Sequence, residues 1–223
     1  MPTHIDKAKQ PRLTVAQIKK WRPVPSAVAA DQLGGKAHVD PRIRPIRTLG
    51  TKQRLLGNAV TAWCEPADYG AVHHAIDVAE AGDVIVIAGG GRSDPALIGE
   101  LLSTAARRKG IAGVIVDGAV RDVATLSQWL DFPVYTRWVT SRGPSTMERG
   151  VVDAPVVFGG ISVHPRDLVI GDDDGLVIVP NREVETRLRG CMTWIEAEAR
   201  WKRALASGKS TLEVFKVPPA SRS

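Results

Sequence analysis

Three short apolar runs, at 83–88 (DVIVIA), 111–116 (IAGVIV) and 133–137 (PVYTR), recur through the middle of this chain with helix-length stretches between them. Runs that are apolar at successive positions, not at alternate ones, belong to strands covered on both faces. Strands separated by helices pair in parallel. The pattern predicts helix over 70–81, strand, the Gly89-Gly90-Gly91 loop, helix from Asp94-Pro95 to Lys109, strand, helix over 122–130 and strand again. Gly82 and Gly110 fall where the first two helices need a left-handed cap. An α/β sheet is expected.

The flanks read differently. Residues 14–33 suggest two short helices, one capped by Thr14 and ended by Pro23 and Pro25, the next capped by Ser26 and ended by Gly34-Gly35. Residues 36–54 are extended and rich in proline and arginine, and 58–63 (NAVTAW) alternates like a strand. Three further strand candidates lie around Val156, around Leu168 and over 176–179, the last two joined by an Asp172-Asp173-Asp174-Gly175 turn. Asn181 can cap a long helix to about Ser207, with Glu198 and Lys202 as an i,i+4 pair and Val184, Leu188 and Ile195 on its apolar stripe. The tail after Gly208 looks loose. The expected organisation is an arm over 1–54, a core over 55–180 and a C-terminal helix and tail over 181–223.

Composition excludes several classes. With 223 residues, 43% hydrophobic and 24% charged, the chain suits a folded globule and not a disordered one. No apolar run approaches a membrane span and the polar start has no signal-peptide core, so a cytoplasmic protein is expected. Cys64 and Cys191 are too far apart in sequence for a Cys-x-x-Cys site. The net charge of +6 is uneven: residues 1–54 carry 12 basic and 3 acidic side chains, residues 55–186 carry 10 and 18. Basic ends imply anionic partners or subunit contacts. Nucleic acid is disfavoured because no recognisable binding module accompanies them. The acidic middle is where a divalent metal would sit.

The segment Asp117-Gly118-Ala119-Val120-Arg121-Asp122 carries the clearest chemistry, at the carboxyl end of a strand, where ligands of open α/β sheets bind. Arg121 offers a planar fork for a carboxylate or enolate, and Asp122 a hard oxygen ligand for magnesium or manganese. The plainer reading is a capping aspartate beside a surface arginine. One βα unit earlier stands Gly99-Glu100-Leu101-Leu102. A helix starting there would present N–H groups to a carboxylate, whereas a start at Asp94-Pro95 leaves Gly99 in mid-helix for close packing. Gly89-Gly90-Gly91 lacks the spacing of a dinucleotide fingerprint or P-loop. His73 and His74 point to different sides of a helix and are no chelating pair, and the Asp172–Asp174 run reads as a turn before it reads as a calcium loop. The only lysine between Lys52 and Lys202 is Lys109, beside Arg107 and Arg108 at a helix end. An imine-forming lysine is therefore not on offer, and a metal-dependent route is favoured.

The stretches GELLSTAARRKGIAGVIVDGAVRD, FPVYTRWVTSRGPS and GDDDGLVIVP resemble the family of regulator of ribonuclease activity A and the divalent-metal 4-hydroxy-4-methyl-2-oxoglutarate aldolases. The resemblance runs from about Asn58 to Pro180. It implies an αββα sandwich of the swivelling β/β/α type, assembled as a trimer or hexamer. It also implies that Asp122 ligates the metal largely through waters, that Arg121 grips the substrate, and that the backbone from Gly99 through Glu100 and Leu101 to Leu102 holds a pyruvyl carboxylate. Glu100 stands where the aldolases commonly carry Asp, and Trp138 where relatives often have a small residue. The expected activity is a Mg2+- or Mn2+-dependent lyase cleaving a 4-hydroxy-2-oxo acid to pyruvate and a second oxo acid, with oxaloacetate decarboxylation beside it. Arg121 would stabilise the enolate, and Glu100 would orient a water for proton exchange, no histidine being expected there. The competing expectation is a non-catalytic regulator that binds protein partners.

Overall fold

The computed structural model describes residues 2–51 and 53–221. A two-residue strand, β1 (His4–Ile5), precedes the helix α1 (Val15–Lys20). Thr14 caps α1 as its sequence implies: its hydroxyl accepts the Gln17 N–H while the Gln17 side chain returns to the Thr14 N–H. The next helix, α2 (Ser26–Gln32), starts one residue earlier than a Ser26 cap would give, with Pro25 at the N-cap. Ser26 lies in its first turn and gives both its N–H and its hydroxyl to the buried Asp172 carboxylate, a stronger partner than a helix end.

There follow β2 (Arg44–Pro45), β3 (Leu55–Trp63), α3 (Gly70–Val78), β4 (Val84–Ala88), β5 (Ala96–Ile98), α4 (Glu100–Arg108), β6 (Gly113–Val120), α5 (Val123–Leu126) and β7 (Val134–Val139). Strands β3, β4, β6 and β7 pair side by side in parallel, as the apolar runs predict. The helix expected from Asp94-Pro95 is instead a short strand and a shorter helix. Ala96, Leu97 and Ile98 are buried, and Ala96 and Ile98 pair with the far end of β6. The helix expected over 122–130 is reduced to the single turn of α5, because Trp129 turns in to pack edge-on against buried Phe132.

The chain continues through β8 (Val151–Val152), β9 (Val156–Phe158), β10 (Ile161–Val163), β11 (Leu168–Asp172) and β12 (Gly175–Val179). Strand β3 belongs to two sheets: its residues 55–58 pair with β11 and its residues 59–63 with β4. The β11–β12 hairpin therefore folds over the parallel sheet as a second layer. Alternation along each strand then fills three cores. Ile85 and Ile87 face α3 and α4, Val84 and Val86 meet Val169 and Ile178 between the sheets, and Leu168 and Ile170 turn outward to Trp21, Val24 and Val28. The result is an αββα sandwich.

Asn181 does not cap the long helix. It sits in a 310 turn, Asn181–Glu183, and donates its amide to the Pro11 and Arg166 carbonyls. The helix itself, α6 (Val184–Ala206), closes the outer layer with Val184 and Cys191 buried. The tail is more ordered than its composition suggests: Ser210 and Glu213 form a capping box for α7 (Thr211–Phe215), and Phe215 stacks edge-on against Trp201 at 5.4 Å. No helix among the described residues is long and apolar enough to cross a membrane.

Candidate active site

Two parts of the chain twenty-odd residues apart converge because β5 lies beside the end of β6. Ile98 is registered with Val120, and the Arg121 N–H donates to the Ile98 carbonyl at 3.1 Å. The chain leaves this point along α4 and comes back along β6, so Gly99 and Arg121 end up as neighbours. Asp122 then adopts the left-handed conformation (φ 60°), which short polar side chains tolerate. That turn swings its carboxylate back, and Oδ2 accepts the Glu100 N–H at 2.9 Å.

Helix α4 is thus capped from another segment, since Gly99 at its N-cap has no side chain to do so. The N–H groups of Leu101 and Leu102 have no acceptor among the described residues. Arg121 Nε lies 3.7 Å from the same Asp122 oxygen, and both side chains are close to 40% exposed. The other oxygen, Oδ1, has no protein partner among the described residues. A β-carbon on Gly99 would collide with Asp122 Oδ2 and stand 2.8 Å from Arg121 Cγ. Only glycine leaves room for this convergence, so the mid-helix packing role for Gly99 is excluded.

These groups open into a cleft of about 200 Å³ whose walls include Gly99, Leu101, Leu102, Arg121 and Asp122, with Tyr69, His73 and Pro144 opposite. The Glu100 side chain is exposed and is not part of the wall. His73 is the residue sequence reasoning missed: the expectation that no histidine is placed here is corrected. Its ring lies 4.8 Å from that of Tyr69, and burial, with a smaller push from His74, holds its pKa below the usual histidine value. His73 and His74 are both exposed to solvent, and only His73 borders the cleft, because which face meets it depends on where α3 docks.

Asp117 does not join the site. It lies within β6, faces the other side of the sheet, and is buried where it accepts Arg137 Nε at 2.7 Å and the Gly159 N–H at 2.8 Å. Trp138, also in a strand, donates its indole N–H to the Gly91 carbonyl and stays clear of the cleft. Lys109 ends α4 and gives its ammonium to the Ile76 and Asp77 carbonyls. The Asp172–Asp174 turn is occupied with the chain's own groups: besides Ser26 on Asp172, Asp173 accepts the Leu49 and Gly50 N–H groups.

Among the described residues no cluster of three or more His, Cys, Asp or Glu side chains could hold a metal. The donors do fit a hard divalent cation held more loosely, because Asp122 Oδ1 has no partner among the described residues and its side chain is partly exposed, and magnesium is commonly bound by one or two carboxylates plus water and substrate.

An αββα sandwich with a trans-capped helix start beside an Arg-Asp pair defines the class of protein. The family described as RraA-like, Aldolase/RraA, matches residues 24–178, and the chain belongs to it. A protein of Halalkalibacterium halodurans named "Putative 4-hydroxy-4-methyl-2-oxoglutarate aldolase" is 33% identical over 172 residues, covering 77% of this chain and 80% of that one. A crystal structure of an uncharacterized protein from Pseudomonas syringae pv. tomato superposes with a TM-score of 0.80 at 25% identity, covering 92% of this chain and all of the other. Streptomyces coelicolor RraAS2, described as an unusual member of the RNase ES inhibitor RraA protein family, superposes with a TM-score of 0.75 at 25% identity, over 86% of this chain and 99% of that one.

Proposed function

We propose that the cleft binds a 4-hydroxy-2-oxo acid and cleaves it to pyruvate and a second oxo acid. The observation that carries this reading is the Gly99, Arg121 and Asp122 convergence, which brings a guanidinium together with N–H groups and a carboxylate oxygen that have no partner among the described residues, around one small space. The aldolase name of the relative from Halalkalibacterium halodurans supports the same chemistry.

In this reading the Leu101 and Leu102 N–H groups receive the substrate carboxylate, aided by the positive end of the α4 dipole. The 4-hydroxyl gives up its proton, its oxygen becomes the carbonyl of the departing oxo acid, and the electrons of the C3–C4 bond move into a pyruvate enolate. Arg121 stabilises the enolate oxygen through its fork of donors. Glu100 at the rim and His73 in the wall are the groups near enough to carry the protons, and C3 is protonated to release pyruvate. A divalent cation held by Asp122 would draw electron density from the 2-oxo acid and so ease the bond cleavage.

Loss of CO2 from oxaloacetate passes through the same enolate and is the simplest assay. Pyruvate release from oxaloacetate is expected with Mg2+ or Mn2+ and is expected to vanish with EDTA. Undiminished release in excess EDTA, or a substrate adduct trapped by borohydride, would contradict the metal-dependent reading.

A further inference from the structure

The segment 140–146 passes over the tip of Arg121 and is anchored without it. The Thr140 N–H donates to the Val120 carbonyl, and the Arg142 carbonyl accepts the Ala96 N–H at 2.9 Å. The Arg142 guanidinium pairs with Asp94 at 2.8 Å, and the Ser145 and Thr146 N–H groups reach the Ala67 carbonyl. Between these anchors stands Gly143. A β-carbon there would lie 2.5 Å from Arg121 Nη1 and 3.5 Å from Cζ, and its three nearest neighbours are all atoms of that guanidinium. Gly143 does not adopt a left-handed conformation, so its backbone accepts any residue without strain. A side chain at 143 would therefore act on the arginine tip and on nothing else this close.

We infer that Gly143 is a positioning residue that fixes where the Arg121 guanidinium stands in the cleft. Gly99 leaves room for the same side chain at its stem, where a β-carbon would sit 3.2 Å from Nε, and Gly143 leaves the space its tip occupies. A β-carbon at 143 would push the guanidinium out of the position it takes here, and its donors would then be aimed elsewhere. The consequence for turnover rests on the proposed lyase reading, whereas the placement of the guanidinium does not.

The test is a crystal structure of Gly143→Ala, together with a double-substitution cycle against Arg121→Lys. In Gly143→Ala the guanidinium is expected to shift by about 1 Å or more while the main chain of 140–146 stays in place, and kcat for pyruvate release to fall by roughly tenfold to a hundredfold. In the Arg121→Lys background the same alanine is expected to change kcat by less than about twofold, because lysine has no Nη1 for it to displace. An unmoved guanidinium, or a full additional loss in the lysine background, would overturn the inference. Failure to fold in both backgrounds would overturn it too, since removing Nη1 would then not have relieved the contact. If the wild-type protein releases pyruvate from no 2-oxo acid, the lyase reading fails and the crystallographic shift alone decides the role of Gly143.

Discussion

Gly99 and Asp122 act as one device: the missing side chain of the first makes room for the carboxylate of the second, which caps α4 and leaves one oxygen outward. Gly99→Ala is therefore expected to keep the circular dichroism spectrum while lowering pyruvate release by on the order of a hundredfold, since the added carbon displaces both Arg121 and Asp122. Arg121→Lys should lower kcat by a similar factor, because a point charge cannot reproduce the bidentate fork. Asp122→Asn keeps a side chain that tolerates the left-handed backbone, so its loss should appear as weaker Mg2+ binding, with activity partly restored at high metal. A steady-state titration with metal separates these two outcomes, and identical kinetics in all three variants would mean the site is elsewhere. At this scale residue type and position at a strand end singled out the Arg-Asp pair, but its proposed roles came from the family resemblance, since spacing alone fits a capping aspartate beside a surface arginine equally well. His73 was not singled out, because a side chain's neighbours across a cleft are set by packing that no local pattern records.

The start of α3 and the loop leading to β8 are tied together by Asp68, which is fully buried. Burial pushes its carboxyl up, but the Thr146 hydroxyl and the N–H groups of Gly70, Arg149 and Glu148 outweigh this and hold its pKa at about 2. A folded pKa below the unfolded one stabilises the protein above pH 4, and that contribution is lost as pH falls from about 4 to about 2. The loss should be about 2 kcal/mol in denaturant melts taken across that window. Asp68→Asn should be destabilised at pH 7 and should lack this component, and an unchanged pH dependence in the variant would contradict the assignment. The loop so anchored leads back to Pro144 and Gly143 at the mouth of the cleft. Among the elements, the strands over 83–88 and 133–137 were readable from apolar runs alone. The split of the 94–109 segment into β5 and α4 was not, since three buried residues are too few to show a period and their pairing with β6 is a long-range choice. Asn181 and Ser26 misled for a related reason: each is a good cap by type, and each found a better partner elsewhere in the fold.

Over the whole molecule, the basic excess of residues 1–54 finds partners in the acidic middle. Arg12 pairs with Glu80 and Asp83, Arg54 lies 3.8 Å from Asp172, and Arg44 donates to the Asp173 and Asp174 carbonyls. The uneven charge that suggested an anionic partner thus serves in part to fasten the N-terminal segment to the core. The four layers were legible only through the family resemblance, because the double membership of β3 that creates the second sheet leaves no mark in hydropathy. Assembly remains an expectation: the cleft is small and open, and completion by a neighbouring copy predicts a trimer or hexamer by light scattering at micromolar concentration. A monomer there would place the whole site within one chain. The account's central claim, that the start of α4 beside Arg121 and Asp122 turns over 2-oxo acids, is tested most directly by pyruvate release. The measurement compares wild type and Gly99→Ala, on oxaloacetate and 4-hydroxy-4-methyl-2-oxoglutarate, with Mg2+ or Mn2+ and with EDTA. The account predicts release by the wild type with metal, none with EDTA and a loss of about a hundredfold in the variant. No release from either substrate, or equal release by both proteins, would contradict it.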